Sequence, residues 1–239
     1  MKPEIIIDHL SKNFGKREAL RDVSLHIQPG MFGLLGRNGA GKTTLMRVLA
    51  TLLHKSGGSV TVCGIPIEQS KEVRKLIGYL PQDFSIYPGM TVYAAMNYLG
   101  ILSELPKAAR KERIFTLLKR VNLEDCLNLK VKALSGGMKR RLGIAQAILH
   151  DPQILIVDEP TAGLDPEERI RFRDLLCEIA ENRIVILSTH IVEDIEKTCQ
   201  NIAVLDKGQI IYQGALQHFI GCERGLEEAY MKQMGEHQR

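Results

Sequence analysis

Gly36-Arg37-Asn38-Gly39-Ala40-Gly41-Lys42-Thr43-Thr44 has the residue types and spacing to hold a phosphate. It fits the P-loop pattern G-x-x-x-x-G-K-[ST] at every fixed position. Glycines let the backbone turn tightly and approach an anion without a side-chain clash. Successive N–H groups then converge as an anion nest at a helix N-terminus. Lys42 adds a mobile positive charge for β- and γ-phosphates. Thr43 offers a hydroxyl to Mg²⁺, a hard cation that prefers oxygen. The competing reading is a glycine-rich turn with a chance lysine. The flanks argue against it: residues 31–35 are an apolar, strand-like run and 44–53 have helical composition.

A second set of groups lies further along. Residues 154–157 are apolar and end in Asp158-Glu159. In a P-loop protein the first acid holds Mg²⁺, directly or through water. The second is placed to polarise an attacking water as general base. A strand that merely ends in a charged loop is the plainer alternative, weakened by the P-loop upstream. His190 follows the apolar run 184–187 through Ser188-Thr189, where a γ-phosphate sensor would sit. Taken alone, a histidine is more often structural. Gln82 also ends an apolar run, where it could orient water or Mg²⁺. Leu134-Ser135-Gly136-Gly137 makes another helix N-terminus able to hold phosphate. One chain needs one such cradle. A second, across a helical stretch, points to ATP shared between two subunits; a plain helix cap is its competitor.

The elements that must position these groups can be read from periodicity. Residues 5–14 read as a strand, and 19–27 alternate as a half-solvated antiparallel strand does. A turn at 28–30, a break at 55–58 and a strand at 59–63 follow. A short charged helix is expected at 71–76 and a strand at 77–80. From Asp83 the character changes: 91–105 and 106–121 have helical spacing, with Ile114, Leu117, Leu118 and Val121 on one face. A further helix starts at Ser135 and runs to residue 150. The runs 154–157 and 184–187 are continuous and apolar, the mark of strands covered on both faces. Asp165-Pro166-Glu167-Glu168 starts a helix, with Asp as N-cap and Pro at N1. Residues 191–200 read as a helix, 202–205 and 209–212 as a hairpin, and 215 to the end as a frayed helical tail. Strands alternating with helices imply an α/β fold with a mainly parallel core sheet. An antiparallel β subdomain on the N-terminal side and an inserted α-helical subdomain complete it.

Composition narrows the classes. The chain has 239 residues, and 32 − 28 gives a net charge of +4, too mild to argue for nucleic acid. Five scattered cysteines without a C-x-x-C pair read as reduced thiols rather than a disulfide frame or zinc site. The N-terminus lacks a signal peptide's apolar core, and no run approaches the ~18 apolar residues needed to span a bilayer. The chain itself is expected to be soluble.

Together these motifs resemble the ATP-binding cassette (ABC) family, over nearly the whole chain. The P-loop is similar to its Walker A motif. Residues 154–159 resemble Walker B with the catalytic glutamate, Ala162-Gly163-Leu164-Asp165 the D-loop, Gln82 the Q-loop and His190 the switch histidine. Leu134-Ser135-Gly136-Gly137-Met138 resembles the signature, with Met138 where glutamine is usual. The resemblance implies one nucleotide-binding domain over 1–239. Its catalytic core and β subdomain would span 1–84 and 151–214, its helical subdomain 85–150, and a short helical tail 215–239. It implies that Phe14 stacks on adenine and that Gly36, Asn38, Gly39, Ala40, Gly41, Lys42, Thr43 and Thr44 bind the triphosphate. Glu159, His190 and Gln82 would be catalytic, and Thr43, Gln82 and Asp158 would serve the metal. Ser135, Gly136 and Gly137 would close over ATP held by the opposite subunit. The implied cofactors are ATP and Mg²⁺. The implied partners are a second cassette, as a homodimer, and separate transmembrane permease subunits. The location would be cytoplasmic, on the inner face of the cell membrane.

Among cassettes the chain most resembles the ABC-2 type exporter subunits, through Tyr87-Pro88-Gly89-Met90-Thr91, Met138-Lys139-Arg140-Arg141 and Leu226-Glu227-Glu228-Ala229-Tyr230. Export of a drug, peptide or polysaccharide is expected. An importer subunit, or a soluble ABC-type ATPase switching a non-membrane protein, are the alternatives. There is no long coiled-coil insert, no second cassette and no guanine-reading N-K-x-D. The side chains around Phe84, Tyr87, Met90, Tyr93, Met96 and Tyr98 are expected to be partly core and partly docking surface. Lys130, Lys132, Lys139, Arg140 and Arg141 are expected to form a solvated basic face rather than a lipid contact.

Overall fold

Two sheets organise the computed structural model, which describes residues 3–236. The first is antiparallel and carries β1 (Ile5–Phe14), β2 (Arg17–Ile27), β4 (Gly57–Val62) and β5 (Ile65–Pro66) in the order β2-β1-β4-β5. Its alternation is the expected one: Leu20, Val23, Leu25 and Ile27 are buried while their neighbours face solvent. The second sheet has the order β10-β9-β3-β8-β7-β6. Its members are β3 (Gly30–Leu35), β6 (Ile77–Leu80), β7 (Ile154–Asp158), β8 (Ile184–Ser188), β9 (Asn201–Asp206) and β10 (Gln209–Ala215). All pairs are parallel except β9 with β10. Every residue of β7 and β8 is buried, so their unbroken apolar runs follow from cover on both faces.

Helices fill the layers. They are α1 (Lys42–Leu49), α2 (Ser70–Leu76), α3 (Val92–Leu102), α4 (Lys107–Arg120), α5 (Gly136–Ala147), α6 (Pro166–Ala180), α7 (Val192–Thr198), α8 (Leu216–Ile220) and α9 (Leu226–Glu236). Three of them begin with a side-chain cap. Thr91 accepts from the N–H of Ala94, Ser135 from that of Met138 and Asp165 from that of Glu168. Helices α3, α4 and α5 share a core of Met96, Ile114, Leu118 and Leu142, all fully buried. Met96 is therefore core, while Tyr87 and Tyr98 stand at the surface in a T-shaped pair with centroids 5.3 Å apart.

Some expectations shift. Helix α1 stops at Leu49, four residues early, because Thr51 takes a left-handed backbone (φ 58°) and the Arg47 carbonyl accepts from Leu52 and Leu53. That closure satisfies the last carbonyls without the glycine that usually marks it. The expected strand 59–63 begins instead at Gly57, and β5 had no signal at all. The tail is not a loose helix: Leu226, Ala229 and Met234 are buried, and the Leu226 N–H donates to Glu196 of α7 (3.3 Å). Residues 237–239 of that tail lie outside the described residues. The basic cluster is not a solvated face throughout. Arg140 donates to the Gln82 carbonyl (2.7 Å), and Arg141 donates to the Val121 and Asn122 carbonyls and pairs with Glu168.

His150 closes the α5 end onto β6, donating from Nε2 to the Ile77 carbonyl (3.2 Å). Burial holds its pKa below the ordinary 6.5. The unfolded chain therefore takes up a proton there before the folded one does. This group leaves stability intact above about pH 6.5 and erodes it as the pH falls below. His150→Gln should flatten the loss of unfolding free energy between about pH 7 and about pH 5 in denaturant titrations; an unaltered slope would exclude His150 as its source.

Candidate functional site

Four neighbouring strands of the parallel sheet end on one side, and each is followed by a residue singled out in the sequence. β3 runs into the P-loop, β8 leads to His190, β7 ends in Asp158 and leads to Glu159, and β6 leads to Gln82. In open α/β sheets the crevice beyond the carboxyl ends of the strands is where ligands bind. Here a cleft of about 280 Å³ opens, lined by Phe14, Asn38, Gly39, Gly41, Lys42, Thr43, Thr44, Gln82, Glu159 and His190 among others.

The loop geometry follows from its glycines. Gly41 precedes α1 with φ 113°, a backbone that a side chain would strain. At Gly36 a Cβ would sit 2.4 Å from the Leu205 carbonyl oxygen. Ala40 is buried, and its carbonyl accepts from Gly208 N–H in the β9–β10 turn (2.9 Å), which anchors the loop to the sheet edge. Lys42 folds back over the loop, donating to the Gly36 carbonyl at 2.6 Å and to that of Arg37 at 3.3 Å. Burial lowers its pKa, and the Glu159 and Asp158 carboxylates oppose that shift. Phe14 stands half exposed at the mouth with the Lys12 ammonium 5.0 Å from its ring centroid.

The acids differ in their surroundings. Asp158 is 1% exposed, and neither carboxylate oxygen has a hydrogen-bond partner. A buried carboxylate left without partners is costly, and its two open oxygens suit a hard cation or its water. Thr43 and Gln82, which line the cleft, carry further oxygens of the kind a hard cation takes. No cluster of three or more His, Cys, Asp or Glu suited to a metal occurs among the described residues. Glu159 is buried, has a left-handed backbone (φ 49°) and donates its N–H to the Ser188 carbonyl at 2.8 Å. Such strain persists only where surroundings hold it, and it gathers at functional sites. The Oε2 of Glu159 accepts a hydrogen bond from His190 Nδ1.

Ser135, Gly136 and Gly137 are not brought into this cleft. They begin α5, with Ser135 and Gly136 exposed. Conversely Arg17, Ala19 and Arg37 line the cleft without having been singled out. Arg17 reaches it as the hairpin partner of Phe14 across β1 and β2, a register that only the structure shows. Arg37 occupies a variable position of the P-loop pattern, which carries no signal.

Residues 20–162 match the sequence profile of the family described as ABC transporter. This chain belongs to the ABC transporter family. Among its relatives is ABC transporter ATP-binding protein NatA of Bacillus subtilis (strain 168), 38% identical over 218 residues, 90% of this chain and 89% of that one. The uncharacterized ABC transporter ATP-binding protein YxlF of the same organism is 39% identical over 88% of this chain and 70% of its own. Nod factor export ATP-binding protein I of Cupriavidus pinatubonensis (strain JMP 134 / LMG 1197) is 38% identical over 90% and 67%. A solved ATP binding subunit of an ABC transporter superposes with a TM-score of 0.87 at 26% identity, covering 96% of this chain and 99% of that one. The chain is thus an ATP-binding subunit of an ABC transporter, an ATPase with hydrolysis coupled to transport. No helix among its described residues is long and apolar enough to cross a membrane.

In this ABC ATPase the open Asp158 carboxylate should cost stability. Asp158→Asn removes the buried charge and should raise the unfolding free energy of the nucleotide-free protein by about 1 kcal/mol, read by urea unfolding. A fall instead would mean that Lys42 already balances the charge.

Proposed function

We propose that this ABC ATPase works as a homodimer that closes around two ATP to drive export through separate transmembrane permease subunits. The observation that carries the reading is the division of its phosphate-binding features. The P-loop, Glu159, His190 and Gln82 share one cleft, while the cap Ser135-Gly136-Gly137, exposed at its first two residues, lies outside it. A helix N-terminus with capped serine and free N–H groups suits an anion, and an ATP on a second copy is the anion this chain's chemistry offers. The chain then acts as one nucleotide-binding domain. Residues 1–84 and 151–214 bind and hydrolyse, 85–150 carry the signature and receive the permease, and α8 and α9 form the tail.

The chain's own residues take these roles. Phe14 stacks on the adenine. Gly36 to Thr44, with Asn38 and Lys42 foremost, hold the triphosphate through backbone N–H groups and the ammonium. Thr43, Asp158 and Gln82 would hold Mg²⁺, which would supply charge neutralisation to the triphosphate. Glu159 takes the proton of the water that attacks the γ-phosphorus, and the bond to the ADP oxygen breaks. His190, held beside Glu159, contacts the γ-phosphate through its ring. Phosphate repulsion then reopens the dimer. Closure is the two-state step a permease can use.

Export is favoured over import by the likeness to a protein named for Nod factor export and by the ABC-2 type motifs. The permease would dock at the groove formed by Phe84, Ile86, Pro88, Val131, Lys139 and Leu142, beside the exposed Tyr87–Tyr98 pair. That arrangement puts the chain in the cytoplasm, on the inner face of the membrane. The cargo class is a drug, peptide or polysaccharide.

Glu159→Gln should bind ATP, lose about a hundredfold or more in turnover, and elute as an ATP-dependent dimer in size-exclusion chromatography. Unchanged turnover would remove Glu159 as the base. Pull-down of the tagged chain from detergent-solubilised membranes should recover a multi-helix permease. Recovery of soluble proteins alone, from a preparation that still hydrolyses ATP, would favour a soluble switching ATPase.

A further inference from the structure

Beyond the Glu159 N–H to Ser188 carbonyl bond at the end of the β7–β8 pairing, the loop that carries Glu159 and the segment that carries His190 meet through two pairs of side chains. The first contact is Glu159 with His190. The second lies two residues beyond Glu159 and four beyond His190, where the Thr161 hydroxyl donates to Asp194 Oδ2. Thr161 is 1% exposed and Asp194 0%. Arg173 of α6, itself 7% exposed, reaches Asp194 Oδ1 at 3.3 Å. Both oxygens of this carboxylate are therefore engaged, whereas those of the equally buried Asp158 have no partner. A buried acid satisfied on both sides is a fastener and not a spare ligand.

One side-chain contact beyond the strand ends leaves the His190 ring free to pivot about it; two fix the angle. The Glu159–His190 contact alone has little to hold it, because the His190 side chain is 55% exposed. We propose that the Thr161–Asp194 hydrogen bond, with Arg173 holding Asp194 in place, is a positioning device that sets His190 against Glu159 for hydrolysis. Thr161 and Asp194 touch neither nucleotide nor water in this role; they act through His190. The inference rests on the reading of Glu159 and His190 as the hydrolytic pair.

The test is a double-mutant cycle on the full chain. Thr161→Val keeps the shape and deletes the donor. It should lower kcat for ATP about tenfold while the KM stays within about twofold, since misplacement of a catalytic group costs rate rather than substrate binding. Thr161→Ser, which restores the donor, should recover most of the rate. In a His190→Ala background Thr161→Val should cost less than about twofold more, because the group it positions is gone. Asp194→Glu keeps the charge facing Arg173 and displaces the oxygen that meets Thr161, so it runs the same cycle where Thr161→Val does not fold. Additive losses in the cycle, or no rescue by serine, would overturn the positioning role while leaving the hydrolytic pair intact. Full turnover in His190→Ala alone would overturn the hydrolytic pair, and this role with it.

Discussion

Asp158 pairs with Ser188 across β7 and β8, and Leu34 pairs with the same Ser188 across β3 and β8. These registers fix the relative height of the P-loop, the acids and His190. A one-residue slip would turn every side chain of a strand to the opposite face, and with both faces buried that slip has no cheap version. The parallel arrangement matters equally, because only parallel neighbours end on the same side. Four successive strand ends then deliver four loops to one crevice, with no group needing to reach far along its own chain.

The helical unit is tied to that crevice by arginines. Arg140 of α5 grips the Gln82 carbonyl, and Arg141 binds the carbonyls that follow α4 as well as Glu168 in the first turn of α6. Guanidinium groups suit the task, since several fixed donors can satisfy several carbonyls at once. The exposed Ser135-Gly136 cap thus sits on a helix whose second turn is fastened to Gln82 and to the first turn of α6.

Two buried aspartates show how one residue type is used in opposite ways. Asp194 has each oxygen engaged and fastens α7 to its surroundings. Asp158 has neither engaged and keeps its capacity open. The strained backbone of Glu159 belongs with the second case. Open valence and strain lower stability, and their concentration at the strand ends is what a binding site requires.

The sequence by itself determined the local elements and the chemistry of the motifs. β1, β3, β6 and the caps Ser135 and Asp165 were legible because period, apolar runs and capping residues are local signals. The P-loop and Asp158-Glu159 were legible because their residue types and spacing have few other uses. The early end of α1 was not, since Thr51 adopts a backbone its identity does not advertise. Nor were Arg17 and Arg37 as cleft residues, or the ties made by Arg140, Arg141 and Thr161. Those depend on which distant segments the sheet order brings together: Thr161 and Asp194 are 33 residues apart in sequence. Strand order, register and the packing of α5, α6 and α7 against the strand ends arise from burial summed over the whole chain. Only the tertiary structure decides that sum.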